Sequence, residues 1–348
     1  MSQFLKGIVP KLRKEYIKII VYYLIAIAAA FAIAGVILFS LHQNVLIGYK
    51  TILTTSFSSL PSFALTIFRF VPIYLMGLGF SIPLASRKFN VGIEGQFLLG
   101  AVGAASVGIV LGWLPGYLLL PLILIASMAT GMLWASIPAL MLYFFNVNEI
   151  ISTILMNFIS FYLVDLVALG PWRDVSAGHP MTIPISSSAH LPIIVGQINI
   201  GFLFTIVFAL AGFIIFYRSI FGYQLRASGS NPIAASKFGI RTNFLAPLSL
   251  ILGGAVAGLA GGLEVSGLYF RLVEGMQSNY ANLAILVSLM ARGNPITLLL
   301  TSFFFSIIEI GANAMQRTMG TPYEIVLITE ALMMLFIMTV DAIRLRRR

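Results

Sequence analysis

The sequence predicts an all-α polytopic membrane protein of about ten transmembrane helices, with both termini cytoplasmic and some spans short or broken. Three observations carry this reading. Hydrophobic residues make up 59% of the 348 residues and charged residues only 9%, where a soluble domain would carry about a quarter charged. Mean hydropathy is +1.00. Apolar runs of about 20 residues, the length a helix needs to cross a hydrocarbon core, recur along the chain.

Residues 1–20 carry Lys6, Lys11, Arg13, Lys14 and Lys18 and read as a cytoplasmic segment. The run 21–41 has no charge and full spanning length. It therefore reads as an uncleaved anchor, since a signal peptide has a shorter apolar region ending at a small-residue cleavage site. Further spans are expected over 63–85 (carrying Arg69, Pro72 and Pro83), 97–114, 117–145, 150–169, 200–217, 244–263, a short one at 279–291, 296–315 and 325–340. They form one transmembrane domain over 21–341, followed by a basic tail, 342–348. With ten crossings, 16 of the 21 lysines and arginines fall on the cytoplasmic side, as the positive-inside rule requires. The same alternation puts the proline-rich segment 170–199 outside and the segment 218–243 inside.

Several functions are excluded by what is missing. With no cysteine there is no disulfide, thiolate metal site or cysteine nucleophile, and the three histidines, His42, His179 and His190, are too dispersed for a metal cluster. No metal and no cofactor is expected. The net charge of +10 sits mostly in tails and short connections, so it reports topology and not a nucleic-acid partner. No GK[ST] tripeptide and no soluble segment of nucleotide-binding size occurs, so the chain cannot hydrolyse ATP. No Ser/His or paired-Asp arrangement suggests an enzyme. Energy for any transport must come from an ion gradient or a separate subunit.

Ionisable groups at membrane depth are costly unless they face a cavity or a partner, so Glu94, Glu149, Asp165, Glu264, Glu309 and Glu330 are candidates for function. Asp165 and Glu264 read as interfacial. Asn90, Glu94 and Gln96 interrupt the apolar pattern in FNVGIEGQ (89–96), where Gly92 and Gly95 permit irregular backbone beside a path. In NEIISTILMN (148–157), Asn148, Glu149, Ser152, Thr153 and Asn157, with Ser160 beyond, share one broad helical face. Asn90, Glu94, Gln96, Asn148, Glu149 and Asn157 are therefore expected to line an aqueous path. The hydroxyls can equally bond carbonyls of their own helix. Gly254, Gly258 and Gly262 form a four-residue ridge that suits close helix packing. In the cytoplasmic segment, Asn231 before Pro232 marks a helix start and Gly239 its end, giving a short helix over 232–238 that is too small to stand alone and must dock.

In order along the chain, FNVGIEGQFLLGA (89–101), NEIISTILMN (148–157), GPWRD (170–174), GYQLRASGSNPIAASKFGI (222–240), GGAVAGLAGGLEVSG (253–267) and ARGNP (291–295) resemble the permeases of ABC importers for nucleosides and simple sugars, in the superfamily of ribose and branched-chain amino acid permeases. The resemblance implies a bacterial plasma-membrane permease that pairs with a second permease as a heterodimer and rests on cytoplasmic ATP-binding subunits. It implies a nucleoside or sugar delivered by an extracellular substrate-binding lipoprotein and moved by alternating access through a lipid-embedded bundle. It also implies a coupling helix within 222–239, with ATPase coupling carried by Gly222, Arg226, Gly229, Asn231, Pro232, Ala234 and Ala235. One departure stands out: MQSNYANLAILVSLMARG (276–293) lacks two glycines of the family's usual pattern, which marks one half of a two-permease assembly. The alternative class is an ion-coupled secondary transporter using Glu149, for which the capped cytoplasmic helix would have no purpose.

Overall fold

The structure is a computed structural model. It describes the backbone of residues 2–322 and 324–346, and the side chains of 21–322, 324–340 and 342–343. The basic side chains of the first twenty residues and Arg344, Arg346, Arg347 and Arg348 lie outside the described residues.

The chain is almost wholly helical. In order, α1 covers Ser2–Ser40, α2 Val45–Thr55, α3 Leu60–Leu84, α4 Ile93–Val110, α5 Gly116–Phe145 and α6 Glu149–Ala168. After a connection bearing the hairpin strands β1 (Ile193–Val195) and β2 (Ile198–Asn199) come α7 (Gly201–Arg218), α8 (Ile220–Ser230) and α9 (Pro232–Lys237). Last are α10 (Thr242–Glu264), continued by a π-helical turn Val265–Tyr269, then α11 (Tyr280–Met290), α12 (Pro295–Met319) and α13 (Glu324–Arg346). Among the described residues, 8 helices are long and apolar enough to cross a membrane, and α11 is a shorter apolar helix. Every expected span coincides with a helix, namely α1, α3 to α7 and α10 to α13.

Three elements depart from the expectation. Helix α2 was not foreseen, because its 11 residues cannot span a bilayer. Its start is fixed locally, where the Asn44 side chain accepts from the Ile47 amide at 3.1 Å. Helix α4 begins at Ile93, four residues before the predicted start, so Glu94 and Gln96 sit in its first turn and the irregular backbone lies upstream of Gly92. Helix α8 occupies Ser- and Gly-rich sequence that reads as loop; the Ser219 hydroxyl caps it by accepting from the Gly222 amide at 3.1 Å.

The chain divides into two compact units, 58–306 and 1–57 with 307–348, the division falling inside α12. In the first, α10 is central and packs on α3, α4 and α5. It can do so because small residues bring backbones together: Gly254, Gly258 and Gly262 lie against α5, at Gly131 and Ser127. In the second, α1 packs on α13, presenting the buried stripe Ala26, Ala30 and Ala34, one residue per turn. Glu309 on α12 and Glu330 on α13 are both buried there.

Candidate functional site

The two polar motifs meet. Asn148 caps α6, its side-chain oxygen accepting from the Ile150 amide at 2.8 Å. This leaves Glu149 in the first turn, where the helix dipole favours a carboxylate. Lys88, from the bend between α3 and α4, pairs with Glu149 at 3.2 Å. Farther along α6, Asn157 reaches across to the start of α4. Its Nδ2 donates to the Val91 carbonyl at 3.0 Å and its Oδ1 accepts from the Gly95 amide at 2.9 Å.

Glycine is needed at that junction for space. A Cβ at Gly92 would lie 2.9 Å from the Thr153 Cβ, and one at Gly95 would lie 3.0 Å from both Asn157 Oδ1 and Ser160 Oγ. The hydroxyls of Thr153 and Ser160 bond within their own helix, to the Glu149 carbonyl at 2.6 Å and the Asn157 carbonyl at 2.6 Å. Asn90 and Gln96 are buried and close on each other, each amide donating to the other's oxygen at 2.8 and 3.0 Å. Of the six residues expected to line a path, five are thus fastened to protein groups. Glu94 is half-buried, and its side chain has no hydrogen bond or ion pair among the described residues.

The segment 218–243 is built onto the same bend. Asn231 Oδ1 accepts from the Ala234 amide at 3.0 Å to start α9, and Gly239 follows the helix at φ +81°, a left-handed conformation that suits glycine. Ala235 is buried, whereas Ile233 and Phe238 are 71% and 87% exposed. Gly229 on α8 sits directly against the Ala85 carbonyl, where a Cβ would collide. Gly222 likewise lies against the carbonyls of Ile215 and Phe216, and Arg226 stacks 5.3 Å above the Tyr217 ring. The segment before α4 therefore touches the α8–α9 element at one end and α6 at the other.

A second polar cluster was not anticipated. Arg69 on α3 donates to the Tyr280 hydroxyl on α11 at 2.7 Å and lies 5.1 Å from the centre of its ring. Glu264 faces the same cluster and is only 4% exposed, so the interfacial reading of Glu264 is corrected to a buried one. The missed signal was Arg69 itself, a lone charge within an apolar run. Its partners stand about two hundred residues away in sequence, beyond any local pattern.

In the connection between α6 and α7, Asp174 pairs with Arg271 at 3.0 Å and accepts from the Ser176 hydroxyl at 2.5 Å and its amide at 3.0 Å. The Ser176 bonds first, and Arg271 next, hold this carboxyl below its ordinary value against the opposing effect of burial. A lowered folded value means that the stabilisation is complete above the ordinary aspartate range, about pH 3.9, and is lost as pH falls through the folded value. Pepsin cutting of the 173–182 connection, taken as the ratio of wild type to Asp174→Asn at each pH, should therefore rise as pH falls below the ordinary aspartate range, and a ratio that stays constant would refute the assignment.

A permease family model, described as the branched-chain amino acid transport system permease component, matches residues 62–338. The guanosine ABC transporter permease protein NupP of Bacillus subtilis is 30% identical, over 92% of this chain and 93% of its own length. The glucose ABC transporter permease protein TsgB13 of Haloferax volcanii is 29% identical over 90% of this chain and 86% of its own. The nucleoside ABC transporter permease protein NupB of Lactococcus lactis is 27% identical over 90% and 89%. No solved structure matches the chain. A family match over most of the sequence, likenesses that run nearly end to end and a bundle of apolar helices identify this chain as a member of the branched-chain amino acid transport system permease family, a multi-pass plasma-membrane permease subunit of an ABC transporter.

Proposed function

We propose that this permease moves nucleosides, or related ribose-containing and simple-sugar solutes, inward by alternating access, pairing with a second and different permease. ABC permeases of this family work with an ATPase and a substrate-binding protein; here α9 is the helix that docks on the ATPase. The observation that carries the reading is the capped, protruding α9, whose two large apolar side chains face solvent beside a Gly229 contact that leads to α4 and α6. Exposed apolar groups on so short an element mark a docking surface. The relatives named for guanosine and nucleosides support the cargo class. The unusual sequence of α11 supports an unlike partner permease. Glu94, on the less buried side of α4, is the residue with capacity left for cargo or water; the other five hold the frame around it.

Burying a phenylalanine side chain is worth about 1.5–3 kcal/mol, or roughly ten- to a hundredfold in affinity. Phe238→Ser should weaken binding of the ATPase subunit by that factor, measured on the purified permease in nanodiscs, and lower uptake of labelled guanosine in parallel. Uptake into vesicles should follow ATP and ignore collapse of the proton and sodium gradients. Uptake that survives ATP depletion but fails on gradient collapse would establish the ion-coupled class instead.

A further inference from the structure

Beside α9 lies a cleft of about 480 Å³ whose wall is built by the bend after α3, the end of α5, the start of α9 and the start of α10. Its polar lining includes Asn146, Thr242 and Asn243, and its charged residues are Arg87 and Lys88, with no aspartate or glutamate among the lining side chains. Lys88 is already matched by Glu149 at 3.2 Å. Arg87 is exposed, and its side chain makes no hydrogen bond or ion pair among the described residues. Its backbone stands at φ 57°. Asn146 also has a left-handed backbone, at φ 51°, and it closes the C-terminus of α5, where such a residue is ordinary. Arg87 closes α3 in the same way: its amide donates to the Leu84 carbonyl at 2.9 Å and the Lys88 amide to the Pro83 carbonyl at 3.0 Å.

We propose that this cleft is a second contact for the cytoplasmic ATPase subunit, receiving an acidic side chain whose carboxylate pairs with the Arg87 guanidinium. The inference rests on the reading of α9 as the ATPase-docking helix. Pro232, the first residue of α9, forms part of the cleft wall, so a partner seated on Ile233 and Phe238 stands over the cleft. A guanidinium offers a planar fork that a carboxylate fills with two parallel hydrogen bonds. The surplus positive charge, the hydroxyl and amide lining and the absence of any acid in the wall are what such a guest requires.

The test uses the full-length permease in nanodiscs of purely neutral lipid and in matched discs containing anionic lipid, with the ATPase subunit titrated in at several salt concentrations. Arg87→Gly removes the charge at a backbone conformation that glycine adopts freely, so the variant should fold. Arg87→Lys keeps the charge and loses the fork. In neutral discs we expect Arg87→Gly to weaken ATPase binding about tenfold and flatten its salt dependence, Arg87→Glu to weaken it further and Arg87→Lys to fall between wild type and Arg87→Gly. If Arg87→Gly and Arg87→Glu bind as wild type while Phe238→Ser does not, the cleft proposal fails and the α9 reading stands. If Phe238→Ser also binds normally, the α9 reading fails with it. A loss that appears only in discs with anionic lipid assigns the cleft to a lipid headgroup and overturns the proposal.

Discussion

Leucine at position 258 should leave almost no folded permease in the membrane. Gly258 lies where three helices meet. A Cβ there would collide with the Ser127 carbonyl of α5 and come within 3.0 Å of the Gly131 Cα. From the other sides, a Cβ at Gly100 of α4 would strike the backbone of Gly258, and one at Gly131 would sit 2.8 Å from its Cα. These neighbours are backbone atoms of packed helices, which cannot rotate aside as a side chain could. In lipid, helix association depends on such close packing and not on apolar burial, since the surroundings are equally apolar. Overpacking a core costs about 1–3 kcal/mol even where side chains can adjust, and here α4, α5 and α10 would all have to separate. Fluorescence-detected size exclusion should show Gly258→Leu absent or aggregated and Gly258→Ala reduced. Wild-type yield and melting temperature for the leucine variant would show that the three helices do not meet this closely.

The second large effect is expected at Asn157. Replacing it by leucine keeps the side-chain size but strands the Gly95 amide and the Val91 carbonyl. Stranding a buried polar group costs about 1–3 kcal/mol. The adjacent Lys88–Glu149 pair looks more conspicuous yet should matter less. Its side chains are 30% and 11% exposed, and ion pairs reached by water are worth about 0–1 kcal/mol. Thermal unfolding in detergent should therefore fall much farther for Asn157→Leu than for Lys88→Ala or Glu149→Ala. Uptake by Asn157→Leu should drop with it, because the start of α4 is no longer fixed to α6. The reverse ranking would mean that the ion pair, and not the amide, holds the two segments together.

Composition and run length were enough to place a helix on each expected apolar run, because the cost of leaving backbone groups unpaired in lipid forces such a run to be a helix. The cap at Asn231 was equally legible, since capping uses only the neighbouring amides. What could not be read was partnership. FNVGIEGQ and NEIISTILMN each look like polar insertions facing water, yet Asn157 donates to Val91 and accepts from Gly95. A periodicity shows which residues share a face and is silent on what that face meets. The same limit hid Arg69 and Tyr280, which sit on helices far apart in sequence. Helix α8 was missed for a different reason. Its serines and glycines argue for a loop, and the close seat of Gly229 on Ala85 overrides that local preference.

The reciprocal amides of Asn90 and Gln96 also bear on how the importer responds to an energised membrane. A unit charge crossing the full field gains or loses about 2.3 kcal/mol per 100 mV. The fastenings at the start of α4, Asn90 with Gln96 and Asn157 with the backbone, carry no net charge, and the formal charges of Lys88 and Glu149 are paired at 3.2 Å. These contacts therefore present little net charge to the field, and any response of the segment to voltage falls to Arg87 and Glu94, whose side chains are unpaired among the described residues.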